Sequence, residues 1–548
     1  MSAPSIPRGG GLRTVATAGL VGVAGLIVLL LAPPAGSLDD VFVVLADARG
    51  WLGQGAAQGG VHAPGSAVPV ESSTSPVDVL LKATMLLVFP GADPLRGAGW
   101  LALLELASFV VLSVVALRGL RVTGAAGACC ALGLVTTPGL IEGAAYRLEG
   151  PLFGVVWLLV VASALEGRAR WSLVWAALLA WIRPEGMILG AAAAWLARPA
   201  DRRGSSRAAA ACLLVTFVPV TLYRWLRYGA LAPNTYFAKR SDLPMQEWMD
   251  GSVYATEVLF SAGGVALVVL AGWTGWCASR GGGEEGLGSG RPRGPVTRQG
   301  VALTLAALAL LVLVASGGDS YAGARLALPV GLPVWLGWAC CQRGLGVRFL
   351  VLSGIAAGLQ VASAVSASGA LSGDGLERLA RARGGPVGLE IYEAEVEALE
   401  AAVRALDGEV LGHRHLQRLR WFSPEAAILD LTGLRDPEIA RLPASGQVKF
   451  GRDAVGEALR RRVGALHLDP VGVRPAPLCE VPLVAALSDP GVAVHFGGAP
   501  FLEGDLARRV AAGYVAASRA VHGGYVNLLV RSDLAPRFRA EGFIVSER

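Results

Sequence analysis

Residues 96–117 read RGAGWLALLELASFVVLSVVAL, and Arg118 and Arg121 come next. The hydrocarbon core of a bilayer is about 30 Å thick, and about 20 mostly apolar residues in a helix cross it. This stretch has that length, and basic residues close it. The pattern recurs at 124–141, 151–166, 171–182, 186–197, 207–226, 253–277, 300–315, 326–340 and 347–367. With the apolar run Val15–Ala32, the sequence predicts about eleven membrane-spanning helices. The runs on either side of Arg183-Pro184-Glu185 are short, and one broken span is the alternative there.

Composition agrees. Of 548 residues, 53% are hydrophobic and 16% charged, whereas a soluble domain carries about 25% charged residues. The missing charge implies a surface that faces lipid. The formal net charge of +6 is spread as short Arg-rich loops between apolar runs, so it points to membrane topology and excludes nucleic acid as the expected partner. Arg8 and Arg13 precede the first run and Pro33 and Pro34 follow it. The reading is a retained first helix with a cytoplasmic N-terminus; a cleaved signal is the alternative.

From this start the first outside loop covers 36–95, and Val77–Phe89, too short for an ordinary span, is expected to lie at the interface. The loops assigned inside then hold Arg118 and Arg121, Arg168 and Arg170, Arg198 to Arg207, Arg280 to Arg298, and Arg343 and Arg348. Every one is Arg-rich, as the positive-inside rule requires. The domains are thus a membrane part, 1–367, and a soluble C-terminal part, 368–548, expected on the periplasmic side.

In the C-terminal part Glu393–Leu406 has helical periodicity, and Ala427–Leu431, Val463–Leu468, Val492–Phe496 and Tyr525–Val530 read as strands, hence a small α/β domain. His413 and His415 have no third ligand at workable spacing, so no metal is expected. Six of the seven cysteines lie in or beside apolar runs, where small apolar packing is their expected role. No phosphate-binding loop, nucleophile elbow or dinucleotide fingerprint stands in credible context.

The outside loops carry the candidate site: Asp39, Asp40, Arg49, Glu71, Thr74, Glu149, Arg183, Glu185, Asn234, Tyr236, Lys239, Asp319 and Arg325. Singly, a charge at a helix end is a solvated anchor. Together on one face, such groups suggest a polar cavity with a function. Asp39 or Asp40 could accept a proton from an attacking hydroxyl, or cap the helix Val41–Leu52. Arg183, Lys239, Arg240 and Arg325 could hold a phosphate, and Arg183 could equally pair with Glu149 or Glu185.

The segments LDDVFVVLADAR (38–49), ESSTSP (71–76), YRLEGPLF (146–153), WIRPEGMIL (181–189), YGALAPNTYFAK (228–239) and GGDSYAGARLALPV (317–330) occur in this order. FSPEAAILDLTGLRDPEIAR (422–441) and GQVKF (446–450) follow. The set resembles the GT-C fold membrane glycosyltransferases, and is similar to the actinobacterial terminal arabinofuranosyltransferase family. The resemblance implies a multi-pass enzyme of the bacterial inner membrane with its site on the periplasmic side. It implies inverting transfer of a sugar, arabinofuranose among the candidates, from a polyprenyl-phosphate donor to a glycan, lipid or protein acceptor. It implies no cofactor and no metal, with Asp39, or Asp40 beside it, as base and Glu71 and Glu149 at the sugar. Glu71-Ser72-Ser73-Thr74 and Tyr146-Arg147-Leu148-Glu149 keep the family's acids while their neighbours differ. The rival expectation is a transporter or lipid-linked sugar flippase; such a protein would show charges near the bilayer midplane and internal repeats, and the sequence reads as having neither.

Overall fold

The computed structural model describes residues 39–367 apart from 53–70, 198–201, 240–243, 281–296, 318–327 and single positions 72, 92, 138 and 146. Beyond them it describes 387–413, scattered positions between 419 and 467, and 510–546 except 511, 522 and 523. The first apolar run, Val15–Ala32, and the strand expected at Val492–Phe496 lie outside the described residues.

The membrane part is helical. In chain order the helices are α1 (Asp39–Trp51), α2 (Pro76–Val88), α3 (Pro94–Gly119), α4 (Gly124–Val135), α5 (Leu140–Ala145), α6 (Gly150–Leu165), α7 (Ala169–Ile182) and α8 (Gly186–Leu196). There follow α9 (Arg202–Tyr228), α10 (Asn234–Lys239), α11 (Pro244–Phe260), α12 (Ala262–Arg280), α13 (Arg298–Ala315), α14 (Leu328–Ala339) and α15 (Val347–Ala367). Their starts follow local chemistry. Asp93 caps α3 by accepting from the Leu95 N–H at 3.0 Å, and Pro94 takes the first position, where no N–H is needed. Ser75 and Pro76 repeat the device at α2, with the Asp78 N–H 3.3 Å from the Ser75 hydroxyl.

Among the described residues, three helices are long and apolar enough to cross a membrane: Pro94–Gly119, Arg203–Tyr228 and Arg298–Ala315. The pair α11 and α12 makes a fourth if counted as one bent span. The apolar residues that these helices expose, among them Trp100, Leu104, Val111 and Val115 on α3 and Leu214, Phe217, Leu222 and Trp225 on α9, form faces that water would not tolerate and lipid does. Inward, Phe109, Phe153, Trp157, Trp335 and Trp338 are fully buried. Their indole N–H groups find acceptors: Trp157 donates to Pro329 O at 3.0 Å, Trp335 to Gln360 Oε1 at 3.2 Å and Trp338 to Ser353 Oγ at 2.7 Å.

Two sequence expectations need correction. The single span at 253–277 is two helices that meet at 84° around Ser261. The bend brings Gly264 so close to the Val258 carbonyl that a side chain would overlap it. The run 124–141 is also broken, because α4 ends at Val135 and α5 starts at Leu140. The runs around Arg183, by contrast, are two separate helices as expected, and the alternative of one broken span falls away. A Cβ on Gly186 would stand 2.6 Å from the Leu179 carbonyl oxygen and one on Gly190 2.6 Å from the Ala176 Cβ, so neither position has room for a methyl; α7 and α8 thus lie antiparallel and Arg183-Pro184-Glu185 is their turn.

The C-terminal part has the helix α16 (Val387–Leu406) and a six-stranded mixed sheet. The strands are β1 (Leu411–His413), β2 (Ile428–Asp430), β3 (Ala465–His467), β4 (Tyr514–Val521), β5 (Gly524–Arg531) and β6 (Ile544–Val545), in spatial order β2-β1-β3-β5-β4-β6. β1 runs parallel to β2 and β3, and β3-β5, β5-β4 and β4-β6 are antiparallel. The expected strands near 428, 465 and 525 are present. The sequence reading lacks β1, β4 and β6: β1 and β6 are short, and β4 reads YVAASRAV, whose alanines favour helix. α16 and α17 (Ala535–Ala540) cover the sheet through Ala398, Ala402, Phe538 and Val515.

Candidate functional site

The helical turns sort the membrane part into two ends. Glu149 opens α6 and Glu166 closes it, and α7 runs back from Arg168 to Arg183. One end therefore holds Glu149, Arg183 and Glu185, and the other holds Arg121, Glu166 and Arg168.

At the first end Arg183 is the hub. Its Nη1 donates to Glu149 Oε1 at 2.8 Å and its Nε to Glu185 Oε1 at 2.5 Å. The two pairings that the sequence left open both form. Glu149 reaches Arg183 because α5 and α6 pack at backbone distance: a Cβ on Gly143 would stand 2.9 Å from the Gly150 Cα. Arg147, between them, adopts φ 56°, a left-handed conformation that the tight turn imposes.

A second network lies beside it. Arg224 Nε contacts both carboxylate oxygens of Glu71, at 3.1 and 2.8 Å, and the two side chains are 4% and 5% exposed. The Glu71 carbonyl accepts the Asn234 N–H at 3.1 Å, which ties the loop before α2 to the start of α10. Two residues on from Glu71, the Ser73 N–H donates to Asp47 Oδ2 at 2.9 Å, which ties the same loop to α1. Burial pushes the Glu71 carboxyl up to about 7; Arg224 opposes the rise and Asp47 adds to it. The two networks are joined through aromatic rings: Trp181, two residues before Arg183, lies 5.4 Å from Tyr223, next to Arg224.

The other expected residues sit as follows. Asp39 and Asp40 are the first two residues of α1. Arg49 is half-buried in its last turn. Thr74 is half-buried just ahead of the Ser75 cap. Tyr236 is exposed on α10, its ring 5.4 Å from Phe237, and Lys239 is the last residue of that helix. Asp319, Arg325 and Arg240 lie outside the described residues. Arg441 of the C-terminal part stacks 4.9 Å from the Phe237 ring centroid, so that part touches the bundle at α10.

Five ionisable residues inside apolar runs were missed: Asp47, Asp78, Lys82, Glu105 and Arg224. All are buried. Lys82 Nζ is 2.6 Å from both Asp78 oxygens, and Glu105 stands within electrostatic reach of that pair and of Glu149. Glu105 lies near the middle of α3. An acid at the centre of a helix long and apolar enough to cross a membrane runs against the expectation of no charge near the bilayer midplane. The signal is present in the sequence, since a charge inside a span is a functional candidate by default.

Among the described residues no group of three or more His, Cys, Asp or Glu is arranged to hold a metal ion. The six described cysteines are unbridged, and Cys130, Cys212 and Cys341 belong to the hydrophobic core. What fold and site define together is a helical membrane-embedded protein with a carboxylate- and guanidinium-lined end. Comparison of the chain with protein-family models, curated proteins and solved structures returned no match.

Proposed function

We propose that this protein is an inverting glycosyltransferase of the GT-C type, with about eleven spans, that moves a sugar from a polyprenyl-phosphate donor to an extracytoplasmic glycan, lipid or protein. The observation that carries the reading is convergence. Segments separated by tens of residues, 71–76, 146–153, 181–189 and 228–239, meet at one end of the bundle: Arg183–Glu149 joins the second and third, the Asn234 N–H on the Glu71 carbonyl joins the first and fourth, and Trp181 against Tyr223, next to the Arg224 that pairs with Glu71, links the two pairs. They are the segments on which the family resemblance rests.

In this reading the Arg-rich end faces the cytoplasm and the carboxylate end faces out. Asp39, or Asp40 beside it, takes the proton of the acceptor hydroxyl as that oxygen attacks the anomeric carbon. The lipid phosphate leaves from the opposite side, so configuration inverts, as in inverting glycosidases with the acceptor in place of water. Arg183 is engaged by two carboxylates, so its task is to fix Glu149 and Glu185. The departing phosphate falls to Lys239 and Arg325, where charge develops as the bond breaks. The stacking of Arg441 on Phe237 supports a C-terminal domain that sits on the same side and covers α10.

Glu105, with Asp78 and Lys82 in its electrostatic reach, favours a second reading, a transporter or lipid-linked sugar flippase, because buried charge within a span lines substrate or proton paths. One experiment separates the two. Protein in lipid nanodiscs is given short-chain prenyl-phosphate sugars, arabinofuranose first, with Asp39→Asn and Asp40→Asn alongside. Prenyl-phosphate release that either substitution abolishes supports the transferase. No release, with a labelled lipid crossing the bilayer in vesicles, supports the flippase.

A further inference from the structure

We propose that the niche where the ends of α1, α7 and α9 meet is the seat of a neutral sugar ring. The inference rests on the transferase reading and deepens it, by placing the sugar against Arg224, Tyr223 and Trp51, which the sequence motifs do not contain, beside Glu71, Trp181 and Thr235, which they do.

Two donors there are left over. Arg224 is 3% exposed and spends its Nε on Glu71, yet its buried Nη2 has no hydrogen-bond acceptor among the described residues. Thr235 is 7% exposed and its buried hydroxyl also lacks a partner among them. Thr235 follows Asn234, whose N–H holds the Glu71 carbonyl. Both unused donors therefore flank one short segment of backbone. A buried polar group left unsatisfied costs about 1–3 kcal/mol, more when charged. Two such groups at one place are explained by a ligand that completes them.

The surroundings define the ligand's chemistry. Tyr223 stands at the centre of half-buried aromatic rings, 5.4 Å from Trp181, 6.0 Å from Trp51 and 5.9 Å from Tyr228. The Tyr223 and Tyr228 hydroxyls are 3.2 Å apart, and the Trp51 indole N–H lies 3.4 Å from the Tyr228 oxygen. The acceptors are the carboxylates of Glu71 and Asp47. A phosphate would face those carboxylates, and a cation would face Arg224. A lipid chain would strand the donors. A sugar ring matches each feature: hydroxyls that donate and accept, and a face of C–H bonds suited to aromatic rings. The assignment is therefore a neutral polyol, with Arg224 and Thr235 donating to its oxygens, Glu71 accepting, and Trp181, Trp51 or Tyr223 beneath its carbon face.

The test compares Trp181→Leu and Arg224→Lys with the unmodified full-length protein in nanodiscs. Trp181→Leu alters the half-buried rim and leaves the ion pairs intact, so it stays informative if Arg224→Lys fails to fold. Affinity is measured for a prenyl-phosphate sugar, for the bare prenyl phosphate and for methyl α-arabinofuranoside and methyl α-mannopyranoside. Each variant is expected to weaken the sugar-bearing donor and the preferred glycoside at least tenfold while bare prenyl phosphate stays within twofold. Equal weakening of bare prenyl phosphate would make the niche a phosphate site and overturn the proposal. So would donor and glycoside affinities unchanged in both variants. Glycoside binding that depends on Trp181, with no prenyl-phosphate release, removes the transferase reading and keeps the niche. Release at unaltered kcat and KM in both variants does the reverse.

Discussion

Replacing Arg224 with methionine removes one half of a buried ion pair and leaves Glu71 among apolar and acidic neighbours. The pair is 4% and 5% exposed, with contacts at 2.8 and 3.1 Å. Breaking such a pair from one side costs about 3–5 kcal/mol, because a charge is left without compensation. Glu71 has an escape, since burial already holds its carboxyl at about 7. On losing Arg224 it takes up a proton, so at neutral pH the loss should fall at the low end, about 3 kcal/mol, and shrink further at pH 5.5. Glu71→Gln combined with Arg224→Met leaves no charge behind, and should recover about 2 kcal/mol of the summed single losses. The assay is unfolding of the purified protein in detergent micelles, followed by circular dichroism at both pH values. A single-variant loss below about 1 kcal/mol, or the same loss at pH 5.5 and pH 7.5, would refute the reasoning.

Infrared difference spectra should show a protonated carboxyl band that disappears as pH rises through about 7, is absent in Glu71→Gln, and has a lower midpoint in Asp47→Asn. Because the folded value lies above the ordinary 4.5, the folded state holds a proton that the unfolded chain gives up; this contribution, about 3 kcal/mol, is full below pH 4.5 and lost as pH rises through 7. Gly143→Val pushes into the Gly150 backbone, and should cost about 1–3 kcal/mol and separate Glu149 from Arg183, whereas Gly91→Val, with open space around it, should leave the melting temperature unchanged. Asp436 is 1% exposed and bonded to Arg461 Nη1 at 2.7 Å; Asp436→Asn should weaken the C-terminal domain by about 1.5–3 kcal/mol, seen as faster proteolysis there with the helical bundle still protected.

Much of the helical order was legible because lipid imposes a simple rule: a long apolar run closed by charge is a span. Starts and stops of α3, α6, α13 and α15 fall within two residues of the expected bounds. What the rule does not carry is what happens inside a run. The 84° bend at Ser261 and the break after Val135 leave hydropathy unchanged, since Gly264 and Gly139 are as compatible with an apolar run as alanine. The site was half legible for the same reason. Glu149, Arg183 and Glu185 stand in turns, where charge is conspicuous. Arg224 and Asp47 stand within helices, and only tertiary packing shows them gathered around the segment from Glu71 to Ser73. β4 escaped because its place is set by pairing with β5 along its whole length, a non-local choice that overrides the alanines' preference.

The position of Glu105 also bears on how the chain enters its membrane. A helix that carries an ionised group at its centre partitions poorly on its own, by a few kcal/mol. Lys82 and Asp78 leave the ribosome before Glu105 does, and α2 abuts α3 through the turn that Asp93 caps. The ammonium of Lys82 is already bonded to both oxygens of Asp78, so Glu105 meets a neutral pair, and it is the packing of α3 against the bundle that takes its carboxyl out of contact with lipid.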